Sequence, residues 1–196
     1  MKLVLAALAF VAQPQVRLDH LEMFALRPGV NRIADFAADG RAGLIVTGWR
    51  DNGNAHGFNV FMVLVPAALG TGGYDVVTFA DAHDATSIAD DPHTDEDYVR
   101  SVRFGRGTLN GRRETLAFVA TRRIAGPYPD PARTLIQVLA LRTRDEPIGP
   151  LMFFAEQARF ETGRRYCNAE VALRVELGVP ARPEAIGFDT PDGCER

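Results

Sequence analysis

The densest group of side chains that could do chemistry lies in one short segment of the chain. Five such residues fall within seven positions: Arg50, Asp51, Asn52, Asn54 and His56. Imidazole titrates near neutral pH, so His56 could serve as a general base if a carboxylate or an amide fixed its tautomer. The same residue types also stabilise tight connections by bonding their own backbone. We predict that these five residues bind a ligand, and we assign no catalytic residue among them.

A second cluster follows in the acidic stretch at residues 81–97. It contains seven carboxylates and two histidines, and no lysine or arginine occurs between residues 51 and 99. Such side chains could hold Ca²⁺ or Zn²⁺. The candidate metal ligands are His83, Asp90, His93 and Asp95. The spacing matches neither an EF-hand loop nor a His-Glu-x-x-His helix. We therefore expect a solvated acidic loop that pairs with the arginines after it and holds no metal.

Charge and motif content narrow the classes of function. The formal net charge of -3 argues against a nucleic-acid-binding protein, whose affinity comes largely from basic residues that neutralise phosphates. The chain has no Gly-x-Ser-x-Gly, Ser-x-x-Lys, P-loop or dinucleotide signature, and no cofactor is predicted. One enzymatic alternative stays open: a periplasmic hydrolase or metal-dependent enzyme that uses His56 or the acidic loop with His83 and His93.

The elements that position these candidates are expected to be strands. Short β-branched and aromatic runs alternate with Gly, Pro, Asn and Asp, at a spacing that is typical of β-sandwiches. The predicted strands cover residues 21–26, 43–49, 58–65, 74–79, 99–104, 115–122, 134–143 and 151–154. Residues 135–141 are apolar on both alternating faces, which is typical of a strand in the middle of a packed structure. The sequence therefore predicts a mainly β, single-domain antiparallel β-sandwich.

Two local signals are sharper than the rest. Asn110-Gly111 supplies the positive φ angles of a type I′ turn and predicts a hairpin. One short C-terminal helix is predicted after Asn168, which can act as its N-cap, and before Gly178, which can stop it. Glu170 and Arg174 have the i,i+4 spacing of an ion pair on that helix.

The N-terminus and the cysteines indicate export. Lys2 precedes an apolar run over residues 3–11, the order of a secretory signal, and this run is shorter than the roughly 20 residues that span a bilayer. We predict a signal peptide over residues 1–12, a single domain over 13–196, no membrane span, and a periplasmic or secreted location. Cys167 and Cys194 are the only cysteines, and in an exported chain an even count predicts a disulfide.

The segment around His56 also resembles a known family. The matching positions are Arg50, Asn52, Asn54, Ala55, His56 and Phe58. They resemble the Arg-x-Asn-x-Asn-Ala-His-x-Phe stretch of the periplasmic carbapenem intrinsic-resistance, or self-resistance, family. The resemblance implies a small exported β-sandwich that protects the cell from a β-lactam without hydrolysing it. The expected function is an exported, non-enzymatic binding or protective protein of the cell envelope, with a small molecule such as a β-lactam, or an envelope protein, as its partner.

Overall fold

A computed structural model describes residues 16–54, 56–67, 72–79, 85–92, 98–144, 151–182 and 190–194. These residues form ten strands and one helix, α1 (Ala169–Leu177). The strands are β1 (Leu18–Met23), β2 (Gly29–Ile33), β3 (Gly43–Arg50), β4 (Phe58–Pro66), β5 (Tyr74–Phe79), β6 (Ile88–Ala89), β7 (Arg100–Leu109), β8 (Arg112–Arg122), β9 (Ala132–Thr143) and β10 (Met152–Tyr166). The predicted signal peptide and the metal candidates His83, His93 and Asp95 lie outside the described residues.

The strands join in one continuous sheet. Its order is β1-β7-β8-β9-β10-β5-β4-β3-β2, and β6 pairs with β4 off this path. Within the described residues every strand pairing is antiparallel except one, in which Phe153 and Phe154 of β10 run parallel to β5. The mainly β fold with one short helix is confirmed. The predicted two-sheet, wholly antiparallel sandwich is corrected, because the β5–β10 pairing joins both halves into a curled half-barrel.

Aromatic side chains from both halves fill the concave face of this sheet. Phe61 of β4 lies 5.6 Å from Phe104 of β7, and Phe79 of β5 stacks on Phe154 of β10 at 5.3 Å between ring centroids. All four are buried, and burial of one such side chain contributes roughly 1.5 to 3 kcal/mol. The core therefore holds the two halves together and fixes the loops at the open end of the half-barrel.

The central strands β8 and β9 are buried on both faces. Phe118 and Val138 pack towards Leu173 of α1, whereas Val119 and Leu139 belong to the concave core. This placement confirms the prediction made from the doubly apolar segment at residues 135–141. The helix thus covers the convex face of one half of the sheet.

The two local turn and cap signals are confirmed. Asn110 and Gly111 have φ angles of 50° and 85° and connect β7 to β8. The helix begins after Asn168, whose Oδ1 accepts a hydrogen bond from the Glu170 backbone N–H at 2.8 Å. It ends at Gly178, where φ is 69°. Among the residues described here, no helix is long and apolar enough to cross a membrane.

The predicted disulfide is present and connects the C-terminal segment to the start of the helix. Cys167 is bonded to Cys194 across a sequence separation of 27 residues. The Cys167 backbone N–H also donates to the carbonyl oxygen of Asp192 at 3.0 Å. Gly193 lies so close to Asn168 that a Cβ there would approach the Asn168 Cβ to 2.9 Å. Residues 190–194 are therefore packed directly against the helix N-terminus.

Candidate functional site

The predicted binding segment forms the connection between β3 and β4. Asp51 Oδ1 accepts from the Gly53 backbone N–H at 2.7 Å, and Asn54 Oδ1 accepts from the His56 N–H at 2.9 Å. Asn52 Nδ2 donates to the His56 carbonyl oxygen at 2.7 Å. These three side chains therefore form hydrogen bonds with the backbone of their own loop. Such residues commonly stabilise tight connections in this way.

The ends of this loop are fixed by aromatic contacts. The Arg50 guanidinium lies 5.2 Å from the ring centroid of Phe58, its cross-strand partner. Trp49 packs on Gly57, where a Cβ would lie only 2.2 Å from the indole ring. Trp49 is nevertheless 57% exposed. Gly57 is thus required by close packing, and Arg50 by a stacking contact.

An open cleft of about 640 Å³ lies beside the loop. Its lining includes Asn52, His56, Phe58, Asp90, Asp91, Arg100 and Tyr128. The structure therefore brings two of the five predicted loop residues, Asn52 and His56, next to the described part of the acidic stretch. In the part of the chain that the structure describes, no three His, Cys, Asp or Glu side chains are arranged to hold a metal ion.

A buried network of polar side chains lies between β7 and α1. Glu170 is fully buried and accepts from Ser101 Oγ at 2.6 Å and from Arg103 Nη1 at 2.7 Å. Arg182 Nε donates to the same carboxylate at 3.0 Å, and Arg103 Nη1 also donates to the Pro180 carbonyl oxygen at 2.9 Å. One carboxylate therefore holds two guanidinium groups from distant parts of the sequence.

Asp90 extends this network towards the loop. Its carboxylate accepts from the Asn59 backbone N–H at 2.8 Å and from Asn59 Nδ2 at 3.0 Å. Arg182 Nη2 lies 3.6 Å from Asp90 Oδ2. Burial raises the pKa of the Asp90 carboxyl above its ordinary value, although the Asn59 hydrogen bonds and the Arg182 charge act in the opposite direction. Asp90, proposed from sequence as a metal ligand, here anchors Asn59 and lies beside Arg182.

A cavity of about 500 Å³ opens next to the network, at the mouth of the half-barrel. Its apolar lining includes Met23, Phe24, Leu26, Phe61, Tyr98, Val102 and Phe104. Its polar lining includes Thr47, Asn59, Arg103 and Arg182. An apolar cavity with a few converging polar groups is the usual form of a small-molecule site.

Two polar atoms on residues of this cavity lack hydrogen-bond partners. Thr47 is buried, and its Oγ1 makes no hydrogen bond. Arg182 Nη2 lies 2.9 Å from Glu170 Oε1 as an ion pair, but it has no hydrogen-bond partner. Both atoms are shielded from solvent, so in this structure they lie behind the surface of the cavity and not on it.

The edge of β7 adds backbone groups to the same cavity. The Asp91 N–H donates to the Arg100 carbonyl oxygen at 2.8 Å, and the Phe24 N–H donates to that of Phe104 at 2.9 Å. Because hydrogen-bond direction alternates along an antiparallel strand, Val102 also directs its N–H and C=O away from β8. Val102 lies between these two contacts and lines the cavity.

Sequence reasoning missed the central residue of this site. Glu170 was expected to pair with Arg174 on the helix surface, but it points inwards to Ser101, Arg103 and Arg182. One sequence signal was present, because Glu170 lies on the same helical stripe as Leu173, three residues later. Arg103 is one of the arginines after the acidic stretch, but its partner is Glu170 of the helix and not a carboxylate of that stretch.

Fold and cavity together define a class: a small half-barrel β-protein with one helix on its convex face and a polar-lined cavity at its mouth. Among solved structures, the chain is similar to CarG, with a TM-score of 0.64 and 18% sequence identity. The match covers 82% of this chain and 99% of that chain. At this identity the likeness shows the fold alone. No family model matches the sequence, and no curated protein matches it.

Proposed function

We propose that this chain is an exported binding protein of the cell envelope that protects the cell from a β-lactam by binding it without hydrolysis. Its ligand site is the cavity between β3, β4, β7 and the segment after α1. The observation that carries this proposal is the lining of that cavity, which combines aromatic and aliphatic side chains with the polar residues Thr47, Asn59, Arg103 and Arg182.

The dimensions of the cavity support a small-molecule ligand. Its volume of about 500 Å³ lies within the range of roughly 300 to 1,000 Å³ that is usual for such sites. Phe61 and Phe104 are buried in the core and form a rigid wall, whereas Leu26 from the β1–β2 connection is only partly buried. A β-lactam combines an apolar body with polar carbonyl and carboxylate groups, and this lining offers contacts to both.

The choice of ligand rests on the sequence resemblance, and the fold similarity is consistent with it. The segment from Arg50 to Phe58 resembles the carbapenem intrinsic-resistance family over a short stretch of sequence. The similarity to CarG extends over most of the chain and concerns its fold. A β-lactam, and a carbapenem first, is therefore the ligand to test.

The contacts of the loop give it a structural role. Asp51 and Asn54 accept hydrogen bonds from backbone N–H groups of the loop. Asn52 donates to the carbonyl oxygen of His56. We therefore place the loop beside the ligand site and assign no catalytic residue in it.

Calorimetric titration with a carbapenem tests this proposal, with the ultraviolet absorbance of the lactam followed in parallel. Ala25 lines the cavity at an exposed position, so Ala25→Trp should fill the entrance and weaken binding at least tenfold. Ala34 is also exposed and does not line the cavity, and Ala34→Trp is the matched control. Turnover of the lactam, or equal binding by both variants, would contradict the proposal.

Export is tested separately. We expect cell fractionation to place the protein in the periplasm or the medium, with residues 1–12 removed and residues 13–196 retained as one domain. N-terminal sequencing that found Met1 on the protein in the cytosol would contradict this part and leave the binding proposal intact.

A further inference from the structure

Resting on the proposed function, we infer that the cavity recognises the carboxylate group of its ligand through Arg182. Arg103 and Glu170 hold that guanidinium in position. The ligand class is a small organic acid with an apolar body, and neutral relatives of the same shape are poor ligands.

Not every N–H group of the Arg182 guanidinium forms a hydrogen bond with the described residues around it. Nε bonds to Glu170, and Nη2 lies near Glu170 and Asp90 without a hydrogen bond to either. Nη1 takes part in none of these contacts, and the side chain is 22% exposed where it lines the cavity. A guanidinium presents its N–H groups as a planar fork that matches a carboxylate. Because Nη2 is shielded from solvent, Nη1 is the donor group of Arg182 that a ligand in the cavity could reach.

The two nearby carboxylates are already occupied. Glu170 accepts from Ser101, Arg103 and Arg182, and Asp90 accepts twice from Asn59. Neither carboxylate can turn towards the remaining donors of Arg182 without breaking those bonds. Among the described residues, neither of these carboxylates is available to a further donor of Arg182.

The position of the guanidinium is fixed before a ligand arrives. It lies 5.1 Å from the ring centroid of Tyr98, and the Arg182 backbone N–H donates to Glu170 Oε2 at 3.3 Å. A group that is already ordered loses little conformational freedom on binding, which favours affinity. The ligand carboxylate thus meets a preorganised partner.

The lining residues away from Arg182 can contact the apolar body and the remaining polar groups of such a ligand. Phe24, Leu26 and Phe61 provide the apolar contacts. The backbone edge at Val102 is a polar part of the lining, where a ligand carbonyl or hydroxyl would find a partner.

The experiment compares one carbapenem as its free acid and as its methyl ester, because the ester keeps the shape and removes the negative charge. A charge-assisted hydrogen bond is strong enough that wild-type protein should bind the acid at least about tenfold more tightly than the ester. Arg182→Gln should reduce this acid-to-ester ratio to within about twofold. Arg32→Gln makes the same charge change at an exposed position of β2 and should leave the ratio unchanged.

The outcomes separate the inference from the proposed function. Equal binding of acid and ester by the wild type would overturn carboxylate recognition while the binding function stands. Binding of neither compound would overturn the proposed function, and this inference with it. The acid-to-ester comparison uses wild-type protein, so it decides whether the ligand carboxylate is recognised even if Arg182→Gln fails to fold. Arg27 also lines the cavity, and Arg27→Gln should leave the ratio unchanged; loss of the ratio in that variant would overturn the assignment to Arg182.

Discussion

The β3–β4 loop and the Glu170 network use similar side chains in opposite ways. In the loop, Asp51, Asn52 and Asn54 lie close together in sequence, are exposed, and bond the backbone beside them. In the network, Ser101, Arg103, Glu170 and Arg182 are distant in sequence and converge in a buried space. The polar residues that are close in sequence therefore belong to a loop that stabilises its own backbone. The polar groups that converge beside the cavity come from residues that are far apart in the sequence.

The burial of the two regions explains their different importance for stability. An exposed loop side chain can exchange its hydrogen bond for one to water, so its net contribution is small. A buried charge has no such exchange and depends on its partners. We therefore expect substitutions in the network to lower the free energy of unfolding strongly, and substitutions in the loop to lower it only slightly.

The largest effect is expected at Glu170. Glu170→Gln keeps the shape of the side chain but leaves the guanidinium of Arg103 buried without its counter-charge. We expect the free energy of unfolding, measured by urea denaturation, to fall by roughly 3 to 5 kcal/mol. The control is Glu161→Gln, which weakens an exposed ion pair with Arg133 and should change stability by less than about 1 kcal/mol. If the two variants lost similar amounts of unfolding free energy, the proposed difference between buried and exposed charges would be wrong.

A smaller effect is expected in the loop at Asn54. Asn54→Ala removes the acceptor for the His56 N–H and should lower the free energy of unfolding by about 0.5 to 1.5 kcal/mol. Asn54→Asp retains an oxygen at the same place and should restore most of this loss. Affinity for a carbapenem should stay the same in both variants. A loss of affinity at unchanged stability would instead place the ligand on the loop.

The smallest expected effect is the contribution of Asp90 to the pH dependence of stability. Burial raises the pKa of this carboxyl above its ordinary value of 3.8, so the folded protein holds the Asp90 proton more tightly than the unfolded chain. As pH rises from about 3.8 through the raised value, Asp90 should therefore make wild-type protein less stable, by at most about 1.4 kcal/mol per pH unit.

Asp90→Asn provides the matched comparison, because it removes this titration. The stability of the wild type minus that of the variant should fall as pH rises through the same window and stay level above it. Denaturation curves at several pH values check the sign. A difference that rises with pH would mean that the pKa of Asp90 is lowered in the folded protein.

Much of the fold could be predicted because its signals are local. The Asn110-Gly111 turn and the helix between Asn168 and Gly178 depend on backbone angles that those residues adopt themselves. Strand β10 was predicted only to Phe154, although it continues to Tyr166. Its register shifts at two irregularities, which interrupt the alternation of apolar residues by which strands are identified in a sequence.

The site was less predictable because it depends on the curl of the sheet. The parallel pairing of β5 with β10 rests on two residue pairs, and no sequence pattern indicated it. This curl brings Thr47 of β3 and Val102 of β7 to one cavity. Arg182, after the helix, reaches the same place only because Glu170 is buried beneath it. The loop was therefore recognised as a connection between two strands, but the polar groups that line the cavity were not identified.

The central claim is that the ligand lies in the cavity beside Arg182 and not on the β3–β4 loop. Backbone amide chemical-shift mapping with a carbapenem free acid tests it most directly, because both regions report in one spectrum. The account predicts the largest shifts at Leu26, Thr47, Phe61 and Arg182, which line the cavity. Shifts confined to Gly53, Asn54 and His56 would contradict it and return the site to the loop.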